Sequence, residues 1–310
     1  MNRRLARISW NLCAPEYIFH PFQLFHRIKL AYGKAIPFKV VHLHWGLDIR
    51  VNSAEMIGRS IVRKKIYEVT LTETVWRLLD EGETALDIGA HVGYLTSAMA
   101  ARVGGKGTVI AFEPHPILFD ELLLNVERWN RLKTVGHISP HRVAVSDIRA
   151  RGVMGIPPDW ETNRGLAFVI TEGEPDLKHS ESFPIQRERL DALLDENVFI
   201  GLAKIDVERH EVDVLRGAEE ILRRRRIRDI VFEDFGSYPT PAMRFLETFG
   251  YRIFSLAKGL RGPRLCPPDR TGVRPWDDPN YLATLDPDRT IARMRKKGWA
   301  VLKGRGTKKV

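Results

Sequence analysis

Residues 85–94 read Ala85-Leu86-Asp87-Ile88-Gly89-Ala90-His91-Val92-Gly93-Tyr94. A short apolar strand runs into a glycine turn and then a helix, which brings backbone close to a ligand at the carboxyl edge of a sheet. The spacing is Gly-x-x-x-Gly, not the Gly-x-Gly-x-x-Gly that passes a pyrophosphate over a helix N-terminus. Asp87 ends the strand and would repel a pyrophosphate. It suits a ligand that carries an ammonium and a sulfonium. The plain alternative is a structural strand–helix turn.

The residues that follow favour a ligand. Phe112-Glu113-Pro114 closes the next strand, where a carboxylate can accept both hydroxyls of a ribose. Pro114 stops that strand and starts a helix. Together Asp87 and Glu113 mark a nucleoside cofactor without phosphates. Ala144-Val145-Ser146-Asp147 closes a third expected strand, HRVAVSD, where small and polar residues can flank an adenine. The run Lys204-Ile205-Asp206-Val207-Glu208-Arg209-His210-Glu211 is the densest titratable cluster in the chain. Asp206 ends a fourth strand at the switch point of the sheet, and Glu208, His210 and Glu211 follow on the turn. Helix N-termini favour acids in any case, which is the bland reading of Glu211. Glu233 and Asp234 close a fifth strand. Asp206 and Glu233, at adjacent strand ends, could hold a divalent ion, but no residue is assigned as a metal ligand.

Around these motifs, strands alternate with helices from residue 74 onward, which implies a mostly parallel sheet covered on both faces. Residues 151–187 break the rhythm and read as an antiparallel insertion. Residues 38–70 show β-type alternation through FKVVHLHW, GLDIRVN and RSIVRKKIYEVTLT. The expected organisation is a basic, aromatic extension (1–37), an N-terminal β region (38–73), a catalytic domain (74–285) and a basic tail (286–310). In the extension, Phe19, Phe22, Phe25 and Ile28 fall at helical spacing, and packing on the body or a partner is favoured over a membrane-surface helix.

Composition narrows the function. The formal charge is +10, but residues 1–39 carry +6 and residues 289–310 carry +9, which leaves −5 for the body. A nucleic-acid enzyme carries its basic surface around the active site, so nucleic acid is disfavoured as a partner. The basic termini could touch anionic lipid, or simply solubilise the ends. Cys13 and Cys266 cannot build a disulfide framework or a cysteine metal site. With no sustained apolar run for a secretory signal or a membrane span, a cytoplasmic protein is expected. Oligomeric state is not readable.

The order LDIGAHVGY, AFEP, LLLNVERWN, VAVSD, RLDALLD, KIDVERHEVDVLRGA, IVFED resembles the FkbM-type S-adenosylmethionine-dependent methyltransferases over about residues 60–254, with Tyr67-Glu68 before the first helix. The resemblance implies the α/β class I methyltransferase fold: a Rossmann-like, seven-stranded, mostly parallel sheet with helices on both faces and its last strand antiparallel, here with an N-terminal β/helical extension. It implies S-adenosylmethionine as cofactor and O-methylation of a hydroxyl on a sugar, glycan or other small natural product. Carried over, it places Asp87, Gly89, Ala90, Gly93 and Tyr94 on the cofactor loop, Glu113 on the ribose with Pro114 beside it, and Ser146 near the adenine. Asp206 and Glu208 fall on the signature acidic motif, and Asp206 positions or deprotonates the acceptor with His210 as rival base. His91 stands where the family has Asn, and Arg209 where it has Gly. A glycine there would allow positive φ or close approach, and Arg opposes both. The rival readings are a nucleic-acid methyltransferase, and a non-catalytic methyltransferase-like binding module that Arg209 would suit.

Overall fold

Glu55 is the first cue to how the N-terminal region folds. Its carboxylate accepts from the backbone N–H of Ile57 (2.8 Å) and of Gly58, which caps a helix. The computed structural model describes residues 37–170, 181–275 and 277–303. The expected spacing of Phe19 to Ile28 and the last residues of the basic tail lie outside the described residues. The N-terminal region opens with the hairpin β1 (Phe38–His42) and β2 (Asp48–Asn52). The stretch RSIVRKKIYEVTLT, expected as strand, is instead the helices α1 (Met56–Lys64) and α2 (Val69–Leu78), broken where Lys65 turns left-handed. Ile57 and Ile61 are four apart on one helical face, so a short stretch fitted either period and the Glu55 cap decided it.

Thr84–Ile88 forms β3, and its side chains alternate between two cores. Ala85 packs into one, Leu86 and Ile88 into the other. Helix α3 (Tyr94–Val103), strand β4 (Thr108–Phe112), helix α4 (Pro116–Trp129) and strand β5 (His137–His141) follow. Gly93 starts α3 at φ +90°, and a Cβ there would lie 2.7 Å from Leu122 and 3.1 Å from Trp129, so it serves helix packing.

The third strand differs from expectation. The sheet takes β5, and Ala144–Val145 (β6) leaves it to pair in parallel with β9 (Glu181–Glu188). Pro140 lies in β5, where its missing N–H is tolerated because β5 is the edge of the main sheet. β9 also pairs antiparallel with β7 (Ala150–Ile156), which pairs with β8 (Phe168–Ile170). That second sheet is the expected antiparallel insertion.

The chain returns through helix α5 (Leu190–Leu193), strand β10 (Ile200–Ile205), helices α6 (Glu211–Gly217) and α7 (Glu219–Arg223), strand β11 (Ile227–Glu233) and helix α8 (Pro241–Thr248). Strands β12 (Arg252–Gly259), β13 (Gly262–Cys266) and β14 (Asn280–Thr284) complete the main sheet, in the order β13-β12-β14-β11-β10-β3-β4-β5. β5, β4, β3, β10 and β11 are mutually parallel, and β14 enters antiparallel between β11 and β12. This is the expected seven-stranded α/β sheet with an eighth strand, β13, added as an edge hairpin.

Residues 286–302, expected in a basic tail, instead pack on the domain. Helix α9 (Pro287–Met294) places Arg289 and Arg293 on Asp80, at 3.0 and 2.7 Å. Arg77 donates to the carbonyls of Met294 (2.9 Å), Lys296 (2.6 Å) and Gly298 (2.6 Å), which satisfies the helix end. Trp299, Val301 and Leu302 are buried in the core. The charges of Arg289 and Arg293 are therefore structural pairing. Trp299→Ala should lower the unfolding free energy by about 3–5 kcal/mol, as for other large core truncations. Urea denaturation checks it; a solvated tail would lose almost nothing.

Candidate active site

The switch point of the main sheet lies between β3 and β10, because the chain leaves β3 toward β4 and leaves β10 toward β11. Ligands of such sheets bind at the carboxyl ends of these strands. Three backbone contacts fasten the strand ends together. The N–H groups of Gly89 and Ala90 both donate to Phe112 O at 2.9 Å, and Asp206 N donates to Ile88 O at 3.1 Å. Gly89 has φ +81°, and a Cβ would sit 1.9 Å from Asp206 O, so only glycine lets the two turns approach.

Lys204, inside the apolar strand β10, is 4% exposed and aims its ammonium into this junction. Nζ donates to Gly89 O at 2.5 Å and lies 3.5 Å from both Asp87 Oδ1 and Asp206 Oδ2. Burial opposes its charge, but Asp206, Asp87, Glu68 and Glu113 outweigh that and raise its pKa above the usual lysine value. Asp87 is wholly buried behind the cavity wall, with Oδ2 accepting from Thr96 Oγ1 at 2.5 Å. Asp87, expected on the cofactor loop, does not itself line the cavity, and Lys204 answers its charge.

Gly89, Ala90, Tyr94, Glu113, Pro114, Asp206, Glu208 and His210 line one cavity of about 330 Å³. Gly93 and Ser146 stand behind its wall with Asp87. Glu113 is buried, and its oxygens accept from His91 N (2.8 Å) and His115 N (2.9 Å). Burial lifts its carboxyl to about 7 despite those bonds. Each oxygen keeps a lone pair beyond those bonds. Tyr94 Oη accepts from Tyr67 N at 2.9 Å and fixes the turn before α2. His91 adopts φ +53°, and loss of water holds its imidazole near 3 and uncharged.

His210 has both ring nitrogens engaged, Nε2 with Ser146 Oγ and Nδ1 with Asp213 Oδ2, each at 3.0 Å. It braces α6 against β6, so the geometry gives it a positioning part. Asp206 is freer, its side chain 37% exposed. Asp206, Glu208 and Glu233 bring carboxylate oxygens within 4.8 Å of one another, a spacing a divalent cation could bridge. Glu208 and Arg209 are both left-handed, at φ +49° and +74°. The position where the family has glycine does require positive φ, and here Arg209 adopts it at a cost.

Several lining residues were not singled out as site residues from the sequence: Glu68, Lys204, Phe235, Asp278, and Leu166, Ala167 and Val169 of the insertion. Lys204 had a usable signal, a lone cation in an apolar strand beside an acid. Asp278 had none, since it lies in an irregular loop whose position only the fold determines. Arg164, buried at 2.7 Å from Glu121, anchors the insertion over the cavity.

The acids strain one another. Glu233 is pushed up to about 8, first by loss of water and then by Asp206, Glu68, Glu208 and Asp278. Glu68 rises to about 8 and Glu208 to about 7 for the same kinds of reason. A carboxyl whose folded pKa exceeds its ordinary value costs nothing below 4.5 and destabilises increasingly as pH rises toward 8. Glu233→Gln should therefore raise the thermal midpoint of the ligand-free protein above pH 8 and leave it unchanged near pH 4. Melting curves across that range check the sign.

A family model of the methyltransferase FkbM domain matches residues 87–253. The hexuronic acid methyltransferase AglP of Haloferax volcanii is 27% identical over 179 residues, 51% of this chain and 65% of that protein, so less than two thirds of that relative is covered. Among solved structures, methyltransferase FkbM from Methylobacillus flagellatus KT aligns over 66% of this chain and 44% of its own, at 17% identity and a TM-score of 0.42. Fibrillarin from Aeropyrum pernix, with natively bound S-adenosyl-L-methionine, aligns over 81% and 84%, at 13% identity and a TM-score of 0.39.

Proposed function

This chain belongs to the FkbM methyltransferase family, and on that footing we propose that it transfers the methyl group of S-adenosylmethionine to a hydroxyl of a sugar, glycan or other small natural product. S-adenosylmethionine is its cofactor. The residues present fit it: Glu113 offers two lone pairs to the ribose, and the Gly89–Ala90 turn and Tyr94 wall the same cavity. Bound there, it supplies a methyl group on a sulfonium that departs as a neutral thioether. Glu113→Ala should weaken its binding by about 1.5–3 kcal/mol, the worth of hydrogen bonds to a charged group. Calorimetry measures this directly.

The observation that carries the reading is that Asp206 and Glu208 face the cavity that Glu113 lines. An aliphatic hydroxyl is a weak nucleophile at neutral pH, so a carboxylate must accept its proton as the oxygen bonds to carbon. Asp206 takes this part. Lys204 holds its Oδ2 side, and the exposed portion of the carboxylate meets the acceptor. Glu208 and Glu233 accept hydrogen bonds from neighbouring hydroxyls, and His210 keeps the turn in place through Ser146 and Asp213. Alignment of the reacting atoms supplies much of the acceleration. The crowd of carboxylates disfavours a phosphate backbone, which agrees with a small-molecule or glycan acceptor rather than nucleic acid. The relative AglP is named for action on a hexuronic acid, which supports a sugar-type acceptor.

Asp206→Asn should lower turnover by about 10²–10⁴-fold, the range for general acid–base catalysis, and leave cofactor affinity nearly unchanged. Single-turnover kinetics with calorimetry separate the two; full turnover in the variant would refute the role. Because Asp206, Glu208 and Glu233 lie close enough for a divalent ion, the assay is run with and without chelator. Loss of activity that added magnesium restores would establish metal assistance instead.

A further inference from the structure

We infer that Phe235 is the platform on which the methyl acceptor lies, and that the acceptor is an uncharged, polyhydroxylated ring of the pyranoside kind; this rests on the methyl-transfer reading above. Phe235 follows β11 by two residues and is 75% exposed, the most exposed large apolar side chain among the described residues. It lines the same cavity as Asp206, Glu208 and Glu233. Slack chain does not explain its exposure. Asp234 N donates to Pro279 O at 3.1 Å, and the Asp234 carboxylate accepts from Gly236 N (2.8 Å) and Thr240 Oγ1 (2.6 Å). The segment that presents the ring is thus pinned on both sides. A bare aromatic ring at the rim of a polar cavity is the pattern of a ligand contact.

The neighbouring charges select what lies on that ring. A pyranoside has a face of C–H groups that packs on the electron-rich face of an aromatic ring, and hydroxyls around its edge. Those hydroxyls both donate and accept, so they suit the surrounding carboxyls whether or not these hold a proton. An anionic sugar acid would add charge beside Glu68, Asp206, Glu208, Glu233 and Asp278, which already repel one another. A cationic amine would bind, but these carboxylates would keep its nitrogen protonated and without a lone pair for attack. A neutral ring avoids both penalties.

The test uses the intact protein, labelled S-adenosylmethionine, and matched probes: methyl glucoside and galactoside, the corresponding glucuronide and galacturonide, and the 2-amino counterparts. Transfer to neutral glycosides over their charged counterparts is expected. Phe235→Ala should raise KM for the neutral probes about tenfold, as for loss of one aromatic contact, with turnover at saturation and cofactor affinity unchanged. Phe235→Tyr should restore KM, which a merely structural role would not predict. Preference for the uronides or amines, an unaltered KM in Phe235→Ala, or no transfer to any glycoside by a protein that binds the cofactor would overturn the inference alone. Failure of the wild-type protein to bind S-adenosylmethionine would instead overturn the methyl-transfer reading.

Discussion

The ammonium of Lys204, buried where β3 meets β10, is the interaction on which the site depends. An isolated charge at that depth is prohibitively costly, and so are the carboxylates around it. Together they are tolerable: the ammonium lies 3.5 Å from Asp87 and from Asp206 and donates to the Gly89 carbonyl. That one group ties the glycine turn after β3 to the acid that ends β10. Asp87 thereby holds the lysine that holds the turn.

Around this junction the cavity divides by chemistry. Glu113, Ala90 and Tyr94 offer lone pairs and a close backbone wall. Asp206, Glu208 and Glu233 gather oxygens within a few ångströms, and loss of water pushes the Glu208 carboxyl up to about 7 and that of Glu233 up to about 8. The consecutive left-handed residues Glu208 and Arg209 cost about 1–3 kcal/mol each. Such strain at a strand end aims side chains that a relaxed turn would direct elsewhere. Position 209 thus shows why a glycine is the easier residue there, and that arginine can adopt the same backbone.

Two parts of the chain took shapes that local pattern did not favour. Ala144–Val145 left the main sheet because β9, more than thirty residues later, offered it a partner, while the edge position beside β4 accepted a strand containing proline. The basic C-terminal stretch became structure because Asp80 and Asp229 await its arginines and a pocket of core side chains receives Trp299. Charge counts along a sequence cannot tell a solvated cation from one facing an acid that lies two hundred residues away.

By itself the sequence determined the class of fold, the chain's principal strand–helix units and the identity of the acids at the strand ends. These are local matters: periodicity, glycine turns and proline stops act over a few residues. It also determined the family, because several such units recur in one order. Only the tertiary structure decided which acids share a cavity, that Asp87 faces a lysine, that both His210 nitrogens are occupied, and that Glu68, Asp278 and Phe235 converge from three separate loops. Those outcomes depend on distances between segments remote in the chain, set by how two cores close on the faces of one sheet.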